Sequence, residues 1–311
     1  MTDFDGTGSV RQLTVEHDGV RLGGSMWEPA QSPSAVVLMH PGSGPSDRHN
    51  DEYFPPIREH LVASGYAVCS FDKRGVGAST GDWIGTGIDD QAADVAACLD
   101  HVAAVLPGVP VGLFGHSQGG WVVVEAGARR GDVAFVVANS GPAVTPAAQE
   151  RHALTVLLAD RARDTREFGD AVRCFDLVVA CMSSGLDHQQ AADRVERAGL
   201  APVLQRTELF PFPLDDPDVW RYACALIDHD PRPALRALRV PTLALFGADD
   251  PIVPVDVSAV VYEACVRSDL LTVAVLAGGD HRVQRDGRVV DAYFPTLDAF
   301  LGQALAPRQA S

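Results

Sequence analysis

The feature of this sequence that most constrains its fold is the regular alternation of short β-branched runs with longer segments of helical periodicity. This alternation is typical of a parallel sheet, because each parallel connection needs a crossover helix that covers one face of the sheet. Several runs are apolar at successive positions, as expected for strands buried on both faces. The strand candidates are residues 35–40, 67–72, 111–115, 133–139, 242–247 and 271–276.

An antiparallel hairpin is predicted ahead of this alternating region. Residues 10–17 and 20–27 flank the pair Asp18-Gly19, which favours a tight two-residue turn. Helical periodicity predicts helices over residues 90–105, 118–128 and 291–305.

The alternation stops between residues 145 and 238, where helical segments alternate with Pro and Gly and no strand pattern is convincing. Strands resume after this region, which indicates an insertion into one domain rather than a linker to a second. The expected division is an α/β core formed by residues 1–143 and 233–311, with residues 144–232 as a helical cap or lid.

Composition excludes several classes of function. The formal net charge of −16 argues against nucleic-acid binding, which requires a basic surface that releases counterions. Apolar runs are far shorter than the roughly 18 residues of a membrane helix, and no secretion signal is visible at the start. The six cysteines form no close CxxC pair, so no metal or redox site is expected. They indicate buried thiols in the cytoplasm.

The strongest chemical signal is the segment 115–120, Gly-His-Ser-Gln-Gly-Gly, which lies between a predicted strand and a predicted helix. A GxSxG motif in that context forms a sharp, strained turn that exposes its serine above the sheet. The hydroxyl of Ser117 is therefore the candidate nucleophile. The helix start also supplies free backbone N–H groups, and the N–H of Gln118 is a candidate oxyanion donor.

A serine nucleophile needs a base, and the base needs a carboxylate. Among the ten histidines, His281 is preferred because it follows the last predicted strand, at the edge where a parallel sheet collects its functional loops. Asp249 and Asp250 follow the preceding strand and are both candidates. Asp250 is preferred as the fourth residue of a GxxDxxVP pattern, and the chain order Ser, Asp, His is the one this architecture uses.

A second oxyanion donor is expected from the loop after the strand at residues 35–40. The loop sequence 40–45, His-Pro-Gly-Ser-Gly-Pro, has glycines that allow the main chain to approach a ligand closely. The backbone N–H of Ser43 is the candidate partner of the Gln118 N–H.

Together these segments resemble the α/β-hydrolase superfamily, in particular bacterial esterases and peptidase-like hydrolases near prolyl oligopeptidase and dienelactone hydrolase. The resemblance covers nearly the whole chain. It departs at His40, one residue earlier than the histidine of the common HGxG form, where this chain has Pro41. The matching residues are 41–48, 71–79, 115–121 and 139–142 with Asp250 and His281.

The resemblance implies an eight-stranded, mostly parallel sheet, a cap inserted after the sixth strand, and acyl transfer to water through an acyl-serine. Ser117, Asp250 and His281 take the triad positions. Three matching residues without a chemical role, Arg48, Asp72 and Arg74, are expected to form charge pairs that brace the loops.

The sequence therefore predicts a serine hydrolase of the carboxylesterase type that acts on a small acyl substrate without a cofactor. A thioesterase, an aminopeptidase-like hydrolase and a non-catalytic binding or accessory protein on the same fold stay open as alternatives, as does a homodimer. No nucleic-acid or membrane partner is expected. The expected pocket walls are aromatic side chains beside or within the insertion: Trp121, Phe210, Phe212 and Trp220.

Overall fold

The computed structural model describes residues 8–206 and 216–306, and an eight-stranded sheet organises this part of the chain. The strand order is β1-β2-β4-β3-β5-β6-β7-β8, in which β1, β2 and β4 pair antiparallel and the remaining pairs are parallel. The strands are β1 (Gly8–His17), β2 (Val20–Pro29), β3 (Val36–His40), β4 (Ala67–Phe71), β5 (Val111–His116), β6 (Val136–Asn139), β7 (Thr242–Gly247) and β8 (Leu271–Leu276), with a separate small hairpin of β9 (Gln284–Arg285) and β10 (Arg288–Val289).

Helices cover both faces of the sheet. They are α1 (Phe54–Ala63), α2 (Ile88–Val105), α3 (Gln118–Arg129), α4 (Pro146–Arg161), α5 (Thr165–Ser183), α6 (His188–Arg197), α7 (Ala201–Leu204), α8 (Pro217–Leu226), α9 (Arg232–Ala237), α10 (Val255–Cys265) and α11 (Tyr293–Ala304). None of the helices in the described ranges is long and apolar enough to cross a bilayer.

The two faces of the sheet bury separate apolar clusters, because side chains alternate along each strand. In β3, Val36 and Leu38 face the cluster that also includes residues of α2, α3 and α10. Val37 and Met39 face the opposite cluster, which includes residues of α1 and α11. All five residues of β3 are buried, as predicted for a strand covered on both sides.

Helices α4 to α8 lie between β6 and β7 and share an apolar cluster of their own. The cluster draws residues from α4, α5, α6, α7 and α8, with Leu158, Cys174 and Val195 fully buried in it. A helical insertion after the sixth strand is therefore present, as the sequence predicted. The strands of the eight-stranded sheet agree with the predicted ranges to within two residues at each end, except that β6 begins at Val136 rather than at residue 133. The small β9–β10 hairpin was not predicted.

Gly169 lies inside α5, where replacing a glycine by alanine should stabilise the helix. A Cβ at this position would meet no heavy atom within 4 Å. We expect Gly169→Ala to raise the free energy of unfolding by roughly 0.5–1 kcal/mol, because alanine loses less backbone entropy in a helix. Urea denaturation followed by circular dichroism measures it. Gly108→Ala, equally open but with φ of +80°, should instead destabilise the protein.

Candidate active site

Ser117 occupies a strained turn between β5 and α3. Its φ of 54° and ψ of −121° lie in a region that residues other than glycine rarely adopt. The Ser117 N–H donates to Asn139 O at 2.9 Å, which ties the turn to the end of β6. The turn therefore holds the Ser117 hydroxyl at the carboxyl edge of the sheet, where the loops after β6, β7 and β8 meet.

His281 and Asp250 lie in line with Ser117. His281 Nε2 is 2.9 Å from Ser117 Oγ, and His281 Nδ1 is 2.8 Å from Asp250 Oδ2. The Asp250 side chain has no exposed area and that of His281 is 16% exposed. The structure thus brings together a hydroxyl, an imidazole and a buried carboxylate in the order that proton transfer from serine requires.

Of the two neighbouring aspartates, only Asp250 is buried. Its Oδ1 accepts hydrogen bonds from Ile252 N at 2.8 Å and Val253 N at 3.0 Å, which leaves Oδ2 for His281. Asp249 is exposed, and its backbone N–H donates to Gly279 O. The loop after β7 therefore orients the Asp250 carboxylate toward the imidazole and the Asp249 side chain toward water.

The loop after β3 lies against the Ser117 turn. A Cβ built on Gly42 would be 3.6 Å from Ser117 Cβ. Within the described residues, the N–H groups of Ser43 and Gln118 donate to no protein acceptor. The N–H of Gly42 is occupied by Asn50 Oδ1 at 3.2 Å and that of Gly44 by Tyr222 Oη at 3.1 Å. Ser43 and Gln118 thus keep the free donors that an oxyanion would need.

Arg48 and Asp72 form a bidentate pair that braces this loop. Arg48 Nε and Nη2 donate to the two Asp72 oxygens at 2.9 and 2.6 Å, and Ala78 N donates to Oδ2 at 2.8 Å. Burial by itself would raise the pKa of Asp72, but these hydrogen bonds outweigh it and leave the pKa lowered. Arg74 forms a similar pair with Asp94, at 2.7 and 2.8 Å.

His116 supports the loop that carries His281, a role that sequence reasoning missed. Its Nδ1 is 2.9 Å from Asn50 Nδ2, and its Nε2 is 3.4 Å from the backbone oxygen of His281. Burial and the nearby His281 hold the pKa of His116 well below its usual range, so the ring is neutral. No local sequence signal predicts this contact, because the two residues are far apart in the chain.

Two of the four expected aromatic walls, Trp121 and Trp220, are buried in apolar clusters. Trp121 is 3% exposed in the core beneath α3, and its Nε1 donates to Val144 O at 3.1 Å. Trp220 belongs to the apolar cluster of the inserted helices and donates to Leu186 O at 3.1 Å. Each indole N–H thus has a hydrogen-bond partner, and the role of the two side chains as pocket walls stays a prediction. Phe210 and Phe212 lie outside the described residues.

Other residues cover the site. An open groove between α4 and the loop after β7 is lined by Glu150 and by Ile252, two residues beyond Asp250. Burial raises the pKa of Glu150, whose carboxylate is close enough to His281 for a charge interaction. Tyr222 of α8 reaches the loop after β3 through its hydrogen bond with Gly44. Within residues 8–206 and 216–306, His, Cys, Asp and Glu form no cluster that could hold a metal ion.

Comparison with known proteins links this geometry to a family. Residues 31–167 match the family described as "Serine aminopeptidase, S33". The monoglyceride lipase homolog of monkeypox virus is 34% identical over 103 residues, which are 32% of this chain and 35% of that protein. Human monoglyceride lipase is 30% identical over 119 residues, 37% of each chain. The matched segments thus span little more than one third of these relatives' length.

Solved structures extend the likeness to the whole fold. An esterase from Pyrococcus furiosus superposes with a TM-score of 0.65 and 15% identity, covering 96% of this chain and 92% of that one. At this identity the superposition demonstrates a shared fold. The strand order and the helical insertion after β6 agree with that fold, and residues 31–167 carry the family match, so the chain has the α/β-hydrolase fold.

Proposed function

We propose that this protein is a serine hydrolase that cleaves carboxylic esters of small acyl substrates through an acyl-serine intermediate. The observation that carries the proposal is the continuous chain of hydrogen bonds from Ser117 Oγ through His281 to Asp250, with distances of 2.9 and 2.8 Å. The named relatives include lipases and an esterase, which supports an ester rather than another acyl bond.

The mechanism follows from the roles that these groups can fill. His281 Nε2 accepts the proton of Ser117 as its oxygen attacks the acyl carbon, and the Asp250 carboxylate stabilises the imidazolium that forms. His281 then gives the proton to the leaving alcohol oxygen. Water replaces the alcohol and attacks the acyl carbon while His281 takes its proton. As the second tetrahedral intermediate collapses, the bond between Ser117 Oγ and the acyl carbon breaks and His281 returns the proton to Oγ, which releases the acid and restores Ser117.

The negative oxygen of each tetrahedral intermediate is proposed to sit between the N–H groups of Ser43 and Gln118. Their freedom from protein acceptors supports this role, since donors already aimed at the oxyanion need no rearrangement during the reaction.

The helices between β6 and β7 are proposed to act as a cap over the substrate, with residues 144–232 as the cap and residues 1–143 and 233–311 as the core. The separate apolar cluster within these helices supports this division. All six cysteines are free, four of them buried, which supports a reducing, cytoplasmic location.

Labelling with a fluorophosphonate tests the nucleophile. We expect a single phosphonyl adduct on Ser117 by peptide mass spectrometry, and none on folded Ser117→Ala protein. A folded wild-type protein that takes no adduct would instead favour a binding or accessory protein. In parallel, p-nitrophenyl esters, acyl-thioesters and aminoacyl anilides are compared as substrates, and a strong preference for anilides or thioesters would contradict the esterase proposal.

An aminopeptidase-like activity is the second candidate, and Glu150 is the observation that favours it. This carboxylate is largely buried and close to His281, and it accepts a hydrogen bond from Gln149 Nε2 at 3.0 Å. The Gln149 Oε1 is itself buried without a partner. The Glu150 carboxylate close to His281, next to a second unpaired acceptor, suits a substrate that brings hydrogen-bond donors, such as an ammonium group.

Glu150→Gln separates the two candidates. If an amine is recognised, the variant should lose kcat/KM for aminoacyl anilides while p-nitrophenyl ester hydrolysis stays near the wild-type rate. Equal rates of anilide cleavage in both proteins would remove the support that Glu150 gives to this candidate.

A further inference from the structure

The two candidate oxyanion donors belong to different parts of the fold. Ser43 lies in the loop after β3, whereas Gln118 begins α3. Both N–H groups have to point at one oxygen, so the relative position of the loop and the helix start decides how well they bind it. Two side chains connect the loop after β3 with the start of α3, and we call these connections bridges. Both bridges include a hydrogen bond to the side-chain amide of Gln118.

Lys73 forms the first bridge, from the segment directly after β4. Its Nζ donates to Gly42 O and, at 2.7 Å, to Gln118 Oε1. The side chain is almost fully buried, so water does not compete for these acceptors. Lys73 therefore ties the residue before Ser43 to the start of α3.

Tyr222 forms the second bridge, from α8 in the inserted helices. Its hydroxyl accepts hydrogen bonds from Gly44 N at 3.1 Å and from Gln118 Nε2 at 3.0 Å. Gly42 and Gly44 flank Ser43, so the two bridges hold the loop on either side of the donor residue. The Gln118 amide is fixed in orientation, because its oxygen faces Lys73 and its nitrogen faces Tyr222.

The position of the Tyr222 side chain depends on how α8 packs on the loop after β4. The rings of Tyr222 and Trp83 make an edge contact with centroids 5.1 Å apart. Beside it, Arg221 Nη2 lies 3.1 Å from Asp82 Oδ2. A Cβ on Gly87 would be 3.1 Å from Ala225 O, so the helix approaches this segment closely. The Tyr222 hydroxyl thus reaches the oxyanion loop only when α8 is packed here.

We propose that Tyr222 is a positioning residue for the oxyanion donors, and that with Lys73 it makes transition-state stabilisation depend on the docking of α8 onto the core. This inference rests on the proposed hydrolase function. Tyr222 acts through Ser43 and Gln118, because the contacts of its hydroxyl oxygen are with Gly44 N, beside Ser43, and with the Gln118 side chain.

Tyr222→Phe removes the hydroxyl and keeps the ring that packs on Trp83. We expect kcat for a p-nitrophenyl ester to fall by about tenfold to a hundredfold, below the cost of losing a donor outright, with KM within about twofold of the wild type. Affinity for a boronic acid, which forms a tetrahedral adduct with serine, should fall in parallel. Affinity for the free acid product should not change.

Tyr66→Phe is the matched control. Tyr66 is also a partly buried tyrosine, but it lies just before the first residue of β4, whereas Lys73 and the candidate site lie beyond the last. It should retain wild-type kcat. The inference is overturned if Tyr222→Phe keeps full kcat, or if KM rises while kcat is unchanged, which would make Tyr222 a substrate-binding group. Ser117 labelling keeps the outcomes apart: absence of a wild-type adduct contradicts the proposed function, whereas labelled wild type with an unaffected Tyr222→Phe contradicts only this inference.

The pH profile tests the Lys73 bridge. Burial lowers the pKa of Lys73 to about 7, so its positive charge is lost as pH rises through that value. Of its neighbours, His40 is neutral in this range because its pKa is lowered to about 3, and burial raises the pKa of Tyr222. We expect wild-type kcat to decline above about pH 7, and Lys73→Met, checked for folding by thermal melting, to lack that decline. An identical alkaline limb in both proteins would contradict a role for the Lys73 charge.

Discussion

Asp250→Asn is expected to lower kcat for ester hydrolysis by on the order of 10⁴-fold, the scale of loss when the triad carboxylate becomes an amide. The asparagine keeps an oxygen that can accept from Ile252 N and Val253 N, so the loop should hold its shape. The amide nitrogen would face His281 Nδ1, which favours the wrong tautomer and leaves the imidazolium without a counter-charge. Steady-state kinetics on p-nitrophenyl esters measures the effect.

Asp249→Asn is the control for this prediction. The residue is adjacent in sequence and loses the same charge, but its side chain is exposed. Its kcat should stay within about twofold of the wild type, as for most substitutions of exposed side chains. The opposite pattern, an inactive Asp249→Asn and an active Asp250→Asn, would reassign the acid and contradict the hydrogen-bond geometry on which the proposed mechanism rests.

Gly115→Ala is expected to lower the free energy of unfolding by about 3 kcal/mol and to abolish most of the activity. A Cβ on Gly115 would lie 2.0 Å from Gly119 O and 2.4 Å from Gly119 C, both backbone atoms. The clash can be relieved only if α3 moves away from β5. That movement would displace Ser117 and the Gln118 N–H together, so stability and kcat should fall in the same variant.

Gly131→Ala provides the comparison, because a Cβ there would meet no heavy atom within 4 Å. Urea titrations should give this variant a free energy of unfolding within about 0.5 kcal/mol of the wild type, since the site is open. A Gly115→Ala protein as stable and active as Gly131→Ala would mean that the strand and helix at the Ser117 turn pack less closely than the structure indicates.

The sequence predicted those parts of the fold that local patterns encode. Strands β7 and β8 are short apolar runs bounded by turn residues, and their ends coincide with the predicted ranges. β6 starts three residues later than predicted, because Val133 and Phe135 are buried although they precede the strand. An apolar run indicates buried side chains, but it does not indicate at which residue the hydrogen bonds between neighbouring strands begin.

Residues of the candidate site could be predicted from the sequence where a motif surrounds them. Ser117 lies in a motif tied to a strand and a helix, and chain order narrowed the choice of His281 and Asp250. Lys73 and Tyr222 carry no such signal, because their positions depend on contacts between segments far apart in the chain. For Trp121 and Trp220, aromatic character predicts burial but does not predict what a side chain faces, so their role as pocket walls stays a prediction.

The separate apolar cluster of the inserted helices has a consequence for how proteins of this fold can diverge. Substitutions that repack α5 against α6 leave the side chains on the sheet undisturbed. The inserted helices can therefore change while the strands and loops that carry Ser117, Asp250 and His281 are kept. The positioning role proposed for Tyr222 would limit that freedom, because Tyr222 lies on an inserted helix and hydrogen-bonds the loop after β3. Proteins with different inserted helices at this place would need another hydroxyl, or another acceptor, for the Gly44 N–H that Tyr222 binds in this protein.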